Sequence, residues 1–74
     1  MNRAEIKEFK HFVVECLIKT YNMDEVSATR AVRDSYLSKA LVNDPDYTMH
    51  DTVEEWASYV YHEIAKENVE LLQM

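Results

Sequence analysis

The 74-residue sequence contains no glycine, one proline and one cysteine. Glycine is the usual residue in tight hairpins, so its absence argues against an all-β fold and excludes glycine-rich phosphate-binding loops. A lone Cys16 forms neither an internal disulfide nor a zinc site built from several cysteines. Such cysteine usage is typical of a reducing compartment. We therefore expect a single helical domain over residues 1–74, located in the cytoplasm.

Long apolar runs are also missing, and basic residues are few. No stretch of about 18 consecutive apolar residues occurs, and the charged residues Arg3 and Glu5 do not resemble the start of a signal peptide. The net charge of −6 disfavours binding to phosphate backbones, which calls for basic patches. We expect no membrane association, and nucleic acid is a disfavoured partner.

Apolar residues recur at helical spacing in three segments, which predicts three helices. The first covers about residues 3–21, and Asn22 is placed to end it in the left-handed conformation. The second covers about residues 24–42, with Asp24 as its N-cap. Pro45 prevents further extension and allows one short helical turn after it.

The third predicted helix covers about residues 49–72. Two residues have the spacing of a capping box: Thr48, with Asp51 at the third position, and Asp51, with Glu54 there. The sequence does not choose between them. The predicted fold class is all-α, a compact three-helix bundle completed by homodimerisation.

The dimer prediction rests on the width of the apolar surface of the first helix. Val14, Ile18 and Tyr21 lie about 100–150° around the helix from its main apolar stripe. In one interpretation the first helix lies centrally and contacts both others; in the other, these residues face a second subunit. Because a domain of this size buries limited apolar area alone, the candidate oligomer contact is Val14, Ile18 and Tyr21.

Arg33 falls on the apolar side of the second helix when that helix is drawn as continuous. A buried guanidinium requires a partner, and Glu67 and Glu5 lie near the apolar stripes of their own helices. We therefore expect a buried ion pair between Arg33 and one of these carboxylates. The alternatives are a solvated arginine and an anchor for an anionic ligand.

Charge is distributed unevenly along the chain. Residues 1–42 carry 7 basic and 6 acidic side chains, whereas residues 43–74 carry 1 basic and 8 acidic ones. The exterior of the third helix is therefore acidic, which is by default a solvated face. The competing interpretation is a docking surface for a basic protein partner, with Glu55, Tyr59 and Glu63 as its candidate residues.

No set of residues with catalytic or metal-binding spacing is complete. Glu8 and His11 have the spacing of one half of a di-iron carboxylate site, but the second Glu-x-x-His pair is missing. Cys16 lies on an apolar stripe, where an inert thiol is expected. No nucleophile, base and orienting group occur together. We therefore expect no enzyme activity, no cofactor and no metal.

The functional prediction is a small cytoplasmic, non-catalytic protein–protein interaction or regulatory module. The alternative is a nucleic-acid-associated regulator that contacts phosphates through the second helix, where Arg30, Arg33 and Lys39 occur.

Overall fold

The computed structural model describes the backbone of residues 3–72 and the side chains of residues 3–66. The described chain is all-helical, with no strand in that range, which confirms the all-α part of the predicted fold class. Five α-helices take the place of the three that were predicted. They are α1 (Arg3–Tyr21), α2 (Glu25–Asp34), α3 (Tyr36–Asn43), α4 (Pro45–Thr48) and α5 (Val53–Leu72).

Both long helices contribute to one core. Helix α1 packs against α2 and against α5, and α5 also contacts α2 and α3. Helix α1 therefore lies centrally, as in the first of the two interpretations of its wide apolar surface. The buried apolar residues are Val13, Leu17, Ala28, Val32, Leu37, Leu41, Trp56, Ala57 and Val60.

The predicted second helix is interrupted at Ser35. Its backbone is extended there, with φ −82° and ψ 166°. The Val32 carbonyl accepts hydrogen bonds from the hydroxyls of Ser35 and Ser38, each at 2.8 Å, and from the Ser35 N–H at 3.3 Å. Serine hydroxyls that bond to a backbone carbonyl compete with the regular helical ladder. The prediction of one helix over residues 24–42 is therefore wrong, and two shorter helices replace it.

The predicted termini around the first connection are confirmed. Asn22 adopts a positive φ of 56°, the left-handed conformation that follows the end of α1. Asp24 caps α2, and its carboxylate accepts a hydrogen bond from the Ser27 N–H at 2.9 Å. Hydrogen bonds from Ser27 lower the pKa of Asp24, because they favour its charged form.

Helix α5 begins later than was predicted. Thr52 Oγ1 accepts a hydrogen bond from the Glu55 N–H at 3.1 Å, and the Glu55 carboxylate lies 3.2 Å from the same hydroxyl. Thr52 therefore caps α5, and neither Thr48 nor Asp51 does. Thr48 instead ends α4 with its side chain buried. The two predicted candidates also have side chains that can cap a helix, so the connection after α4 decided that Thr52 lies at the start of α5.

The break at Ser35 leads to a stability prediction. Replacing Ser35 and Ser38 together with alanine removes both hydroxyl donors to the Val32 carbonyl, and we expect the free energy of unfolding to fall by about 1–2 kcal/mol. Urea unfolding followed by circular dichroism measures the change. Ser58→Ala is the control, since the hydroxyl of Ser58 lies 3.4 Å from the exposed His62 and does not bond to Val32. A double variant as stable as Ser58→Ala would contradict a stabilising role for these bonds.

Candidate functional site

The predicted partner residues lie along one side of α5, spaced by about one helical turn. Glu55 and Tyr59 are exposed, and Glu63 is half-buried. We call Glu55, Tyr59 and Glu63 the acidic face. The opposite side of α5 carries the buried residues Ala57 and Val60, which hold the helix against the core. The fold therefore brings the three predicted residues together on one accessible surface.

Tyr59 is the aromatic centre of the acidic face. Its ring meets Trp56 edge to face, with the ring centroids 5.4 Å apart. Partial desolvation raises the pKa of the Tyr59 phenol, and the negative charges of Asp51 and Glu55 raise it further. These carboxylates therefore act on the same point of the surface, where they concentrate a negative potential.

A small pocket lies beside the acidic face, between α3, α4 and α5. Its volume is about 140 Å³. Aromatic rings from all three helices line it, together with two carboxylates. We call it the aromatic pocket; its lining residues are Tyr36, Ala40, Asn43, Asp44, Tyr47, Thr48, Asp51 and Trp56. Sequence reasoning missed it, although residues 43–51 contain three aspartates and a tyrosine.

Hydrogen bonds fix the walls of the aromatic pocket. Trp56 Nε1 donates to the Thr48 carbonyl at 2.8 Å, which ties α5 to the end of α4. The Thr48 hydroxyl lies 2.9 Å from the Ala40 carbonyl and 2.7 Å from the Asp44 carbonyl. Asp44 caps α4 by accepting from the Tyr47 N–H at 3.2 Å. The pocket is therefore built on a connected network and not on an isolated loop.

The candidate oligomer residues separate into two groups. Val14 and Ile18 line a cleft of about 500 Å³ between α1 and α2, and Tyr21 instead stacks on Tyr61 of α5 with ring centroids 4.2 Å apart. All three are half-buried and pack against the core. We call the first feature the α1/α2 cleft; its other lining residues are Lys7, Lys10, His11, Glu15, Glu25, Thr29, Val32 and Arg33.

Arg33 is not the buried cation that was expected. Its side chain is 68% exposed, and its Nε donates to Asp34 Oδ1 at 3.1 Å. The hydrogen bond and charge of Asp34 raise the pKa of Arg33. Glu5 is exposed on α1, and the side chain of Glu67 lies outside the described residues.

The break at Ser35 explains this correction. The helical wheel that placed Arg33 among apolar residues used positions on both sides of the break. With α2 ending at Asp34, its buried residues are Ala28 and Val32, and Val26 is exposed. Arg33 therefore lies at the edge of the apolar face and extends into solvent.

The histidines and the cysteine take local roles. His11 Nε2 lies 3.3 Å from a carboxylate oxygen of Glu15, and not of the Glu8 that the di-iron spacing required. His62 Nδ1 lies 2.7 Å from the Ser58 carbonyl, and Cys16 is half-buried. Within the described part of the chain, no three or more histidine, cysteine, aspartate or glutamate side chains are grouped to hold a metal ion.

No helix among residues 3–72 has the length and apolar character needed to cross a membrane. No protein-family model matches the chain, and neither a curated protein nor a solved structure matches it.

Proposed function

We propose that this chain is a non-catalytic protein-binding domain that recognises a basic partner through the acidic face of α5. One observation carries the proposal: Tyr59 keeps 46% of its surface exposed while Asp51 and Glu55 act on its hydroxyl. An exposed aromatic ring within a concentrated charge is a typical anchor at protein interfaces. The surrounding carboxylates speed encounter with a basic partner and select against acidic ones.

The charge distribution supports the same assignment. Of the 14 acidic residues in the chain, 8 lie within residues 43–74, where Lys66 is the single basic residue. A net charge of about 2–8 in magnitude over a whole small domain suffices for solubility. The excess of negative charge in residues 43–74 is therefore available for the recognition of a basic partner. The proposal includes a cytoplasmic location, supported by the single cysteine.

A second copy of the chain is the proposed occupant of the α1/α2 cleft. Val14 and Ile18 provide apolar surface there, and a domain of this size gains stability when such surface is covered. Basic residues Lys7 and Lys10 occur beside acidic Glu15 on the same cleft, so both charge signs are available for a self-complementary contact.

The exposure of Arg33 favours one alternative, a nucleic-acid-associated regulator that contacts phosphates through α2. Arg33 and the exposed Arg30 lie on α2, whereas Lys39 lies on α3, and Arg33 also lines the α1/α2 cleft. Glu15 and Glu25 also line that cleft and oppose an approaching phosphate. Retention on a heparin column at moderate salt would favour this alternative over the protein-binding domain.

The acidic face is tested by a triple variant, Glu55→Ala, Tyr59→Ala and Glu63→Ala. Basic proteins captured from a cytoplasmic extract by the wild type are identified and purified, and their dissociation constants are measured by calorimetry. We expect at least a tenfold weaker affinity for the variant, about 1.4 kcal/mol, together with a smaller dependence on salt.

A second triple variant provides the matched control. Glu8→Ala, Phe12→Ala and Asp34→Ala also removes two acids and one aromatic ring, and Phe12 is 45% exposed, against 46% for Tyr59. We expect this variant to bind the same partner with unchanged affinity. Equal affinities for the wild type and both variants would show that the acidic face is only solvated.

A further inference from the structure

We propose that the aromatic pocket binds the guanidinium group of an arginine side chain, because it places three aromatic side chains and two carboxylates around one small cavity. This inference rests on the proposed function, since it names the side chain that the basic partner inserts beside the acidic face. The rings are those of Tyr36, Tyr47 and Trp56, and the carboxylates are those of Asp44 and Asp51.

The aromatic walls supply the first part of the recognition. Tyr36 and Tyr47 are 64% and 78% exposed, so much of each ring remains in water until a ligand covers it. A guanidinium is planar and weakly hydrated, and it is attracted to the faces of aromatic rings. Entry of an arginine head group would therefore remove apolar ring surface from water and add a cation–π attraction.

The carboxylates supply the second part. Asp44 accepts the capping hydrogen bond from Tyr47 through Oδ1, and a carboxylate has acceptor sites on both oxygens. Asp44 therefore still has acceptor sites for a ligand. Asp51 lines the pocket and also acts on Tyr59, which joins the pocket to the acidic face. Hydrogen bonds between a guanidinium and a carboxylate are charge-assisted and about twice as strong as neutral ones.

The volume of the aromatic pocket indicates which class of ligand fits it. Sites for drug-sized molecules and cofactors occupy roughly 300–1,000 Å³, whereas the aromatic pocket measures about 140 Å³. It therefore suits a side-chain head group and not a whole cofactor. Arginine fits better than lysine, because the lysine ammonium is compact and strongly hydrated and does not stack on a ring.

Hydrogen bonds hold the residues that line the aromatic pocket in place, which favours binding without rearrangement. Trp56 is held by its hydrogen bond to the Thr48 carbonyl, and Thr48 is held by α3 and α4. Tyr47 lies in the short helix that Asp44 caps. A preorganised site loses less conformational freedom when it binds its ligand.

Trp56 is the single tryptophan of the chain, so its fluorescence reports directly on the pocket. The wild-type protein is titrated with a short peptide whose one charged group is an arginine and whose termini are blocked. Two matched peptides carry lysine or the uncharged isostere citrulline in its place. We expect a saturable change in emission with arginine, and at least tenfold weaker binding with lysine and with citrulline. Equal binding of all three peptides, or none, would overturn the proposal.

Two pairs of variants separate the pocket from a general charge effect. Asp51→Asn removes a pocket carboxylate, whereas Asp46→Asn makes the same charge change on α4 outside the pocket lining. We expect at least tenfold weaker arginine-peptide binding for Asp51→Asn and little change for Asp46→Asn. Tyr47→Phe should retain binding and Tyr47→Ala should weaken it. Equal effects within either pair would contradict a specific pocket.

Different results would refute the proposal for the aromatic pocket and the proposed function of the acidic face. Loss of partner binding in the Glu55, Tyr59 and Glu63 triple variant, without arginine specificity in the peptide titration, would refute the pocket and leave the acidic face in place. Arginine-specific binding that depends on Asp51 and Tyr47, with partner binding unaffected by the triple variant, would support the pocket and refute the role of the acidic face.

Discussion

Replacing Trp56 with alanine is expected to lower the free energy of unfolding by about 3–5 kcal/mol. Trp56 is 9% exposed and belongs to the core, so alanine leaves a cavity where α3, α4 and α5 meet. Domains of ordinary size have total stabilities of about 5–15 kcal/mol, and small ones lie near the lower end. We therefore expect a largely unfolded variant at room temperature, measured by urea unfolding followed by circular dichroism.

Trp56→Phe separates packing from hydrogen bonding at the same position. Phenylalanine keeps much of the apolar contact but cannot donate to the Thr48 carbonyl, which Trp56 Nε1 reaches at 2.8 Å. The Thr48 carbonyl is buried, so in the phenylalanine variant it would be left without a hydrogen-bond donor. We expect the free energy of unfolding to fall by about 1–3 kcal/mol. A phenylalanine variant as stable as the wild type would show that the indole contributes through packing alone.

Replacing Ile18 with glutamate is expected to convert the proposed dimer into a monomer. Ile18 lines the α1/α2 cleft, and a charge placed in a closed apolar contact is unfavourable by a few kcal/mol. Light scattering over a range of protein concentrations measures the mass, and circular dichroism verifies that the variant remains helical. A wild-type protein that is monomeric at high micromolar concentration would refute the dimer.

Thr29→Glu provides a second variant of the same contact. Ile18 also packs against the core of its own subunit, so a glutamate there disturbs folding as well as association. Thr29 is exposed and lines the same cleft from α2, where a charge leaves the core intact. We expect Thr29→Glu to remain folded and to dissociate at higher protein concentration than the wild type. Unchanged association would place the contact outside the cleft.

The acidic face could be predicted from sequence, whereas the two cavities could not. Glu55, Tyr59 and Glu63 belong to one helix, so the helical period alone places them on one side. The aromatic pocket combines Tyr36 and Trp56, which are 20 positions apart and come from different helices. Their proximity depends on how α3 and α5 pack, and no local pattern encodes that arrangement.

The position of Arg33 depends on whether the helix continues through Ser35 or ends there. Serine is compatible with a helix and also able to bond to a preceding carbonyl, so residues 24–42 were consistent with one continuous helix. In the fold, Ser35 and Ser38 both bond to the Val32 carbonyl, and α2 ends there. Because α2 and α3 have different axes, one helical wheel does not describe both of them. Arg33 is therefore exposed to solvent and does not lie among apolar residues.

The sequence by itself determined the helical class, the bounds of α1 and the capping by Asp24, because glycine content, apolar period and cap chemistry are local properties. Only the tertiary structure decided the break at Ser35, the start of α5 after Thr52 and the joining of Thr48 to Trp56. Each of these depended on a polar group with several acceptable hydrogen-bond partners. Packing against the core selected one partner for each of the buried Ser35 and Thr48, and the connection after α4 placed the exposed Thr52 at the start of α5.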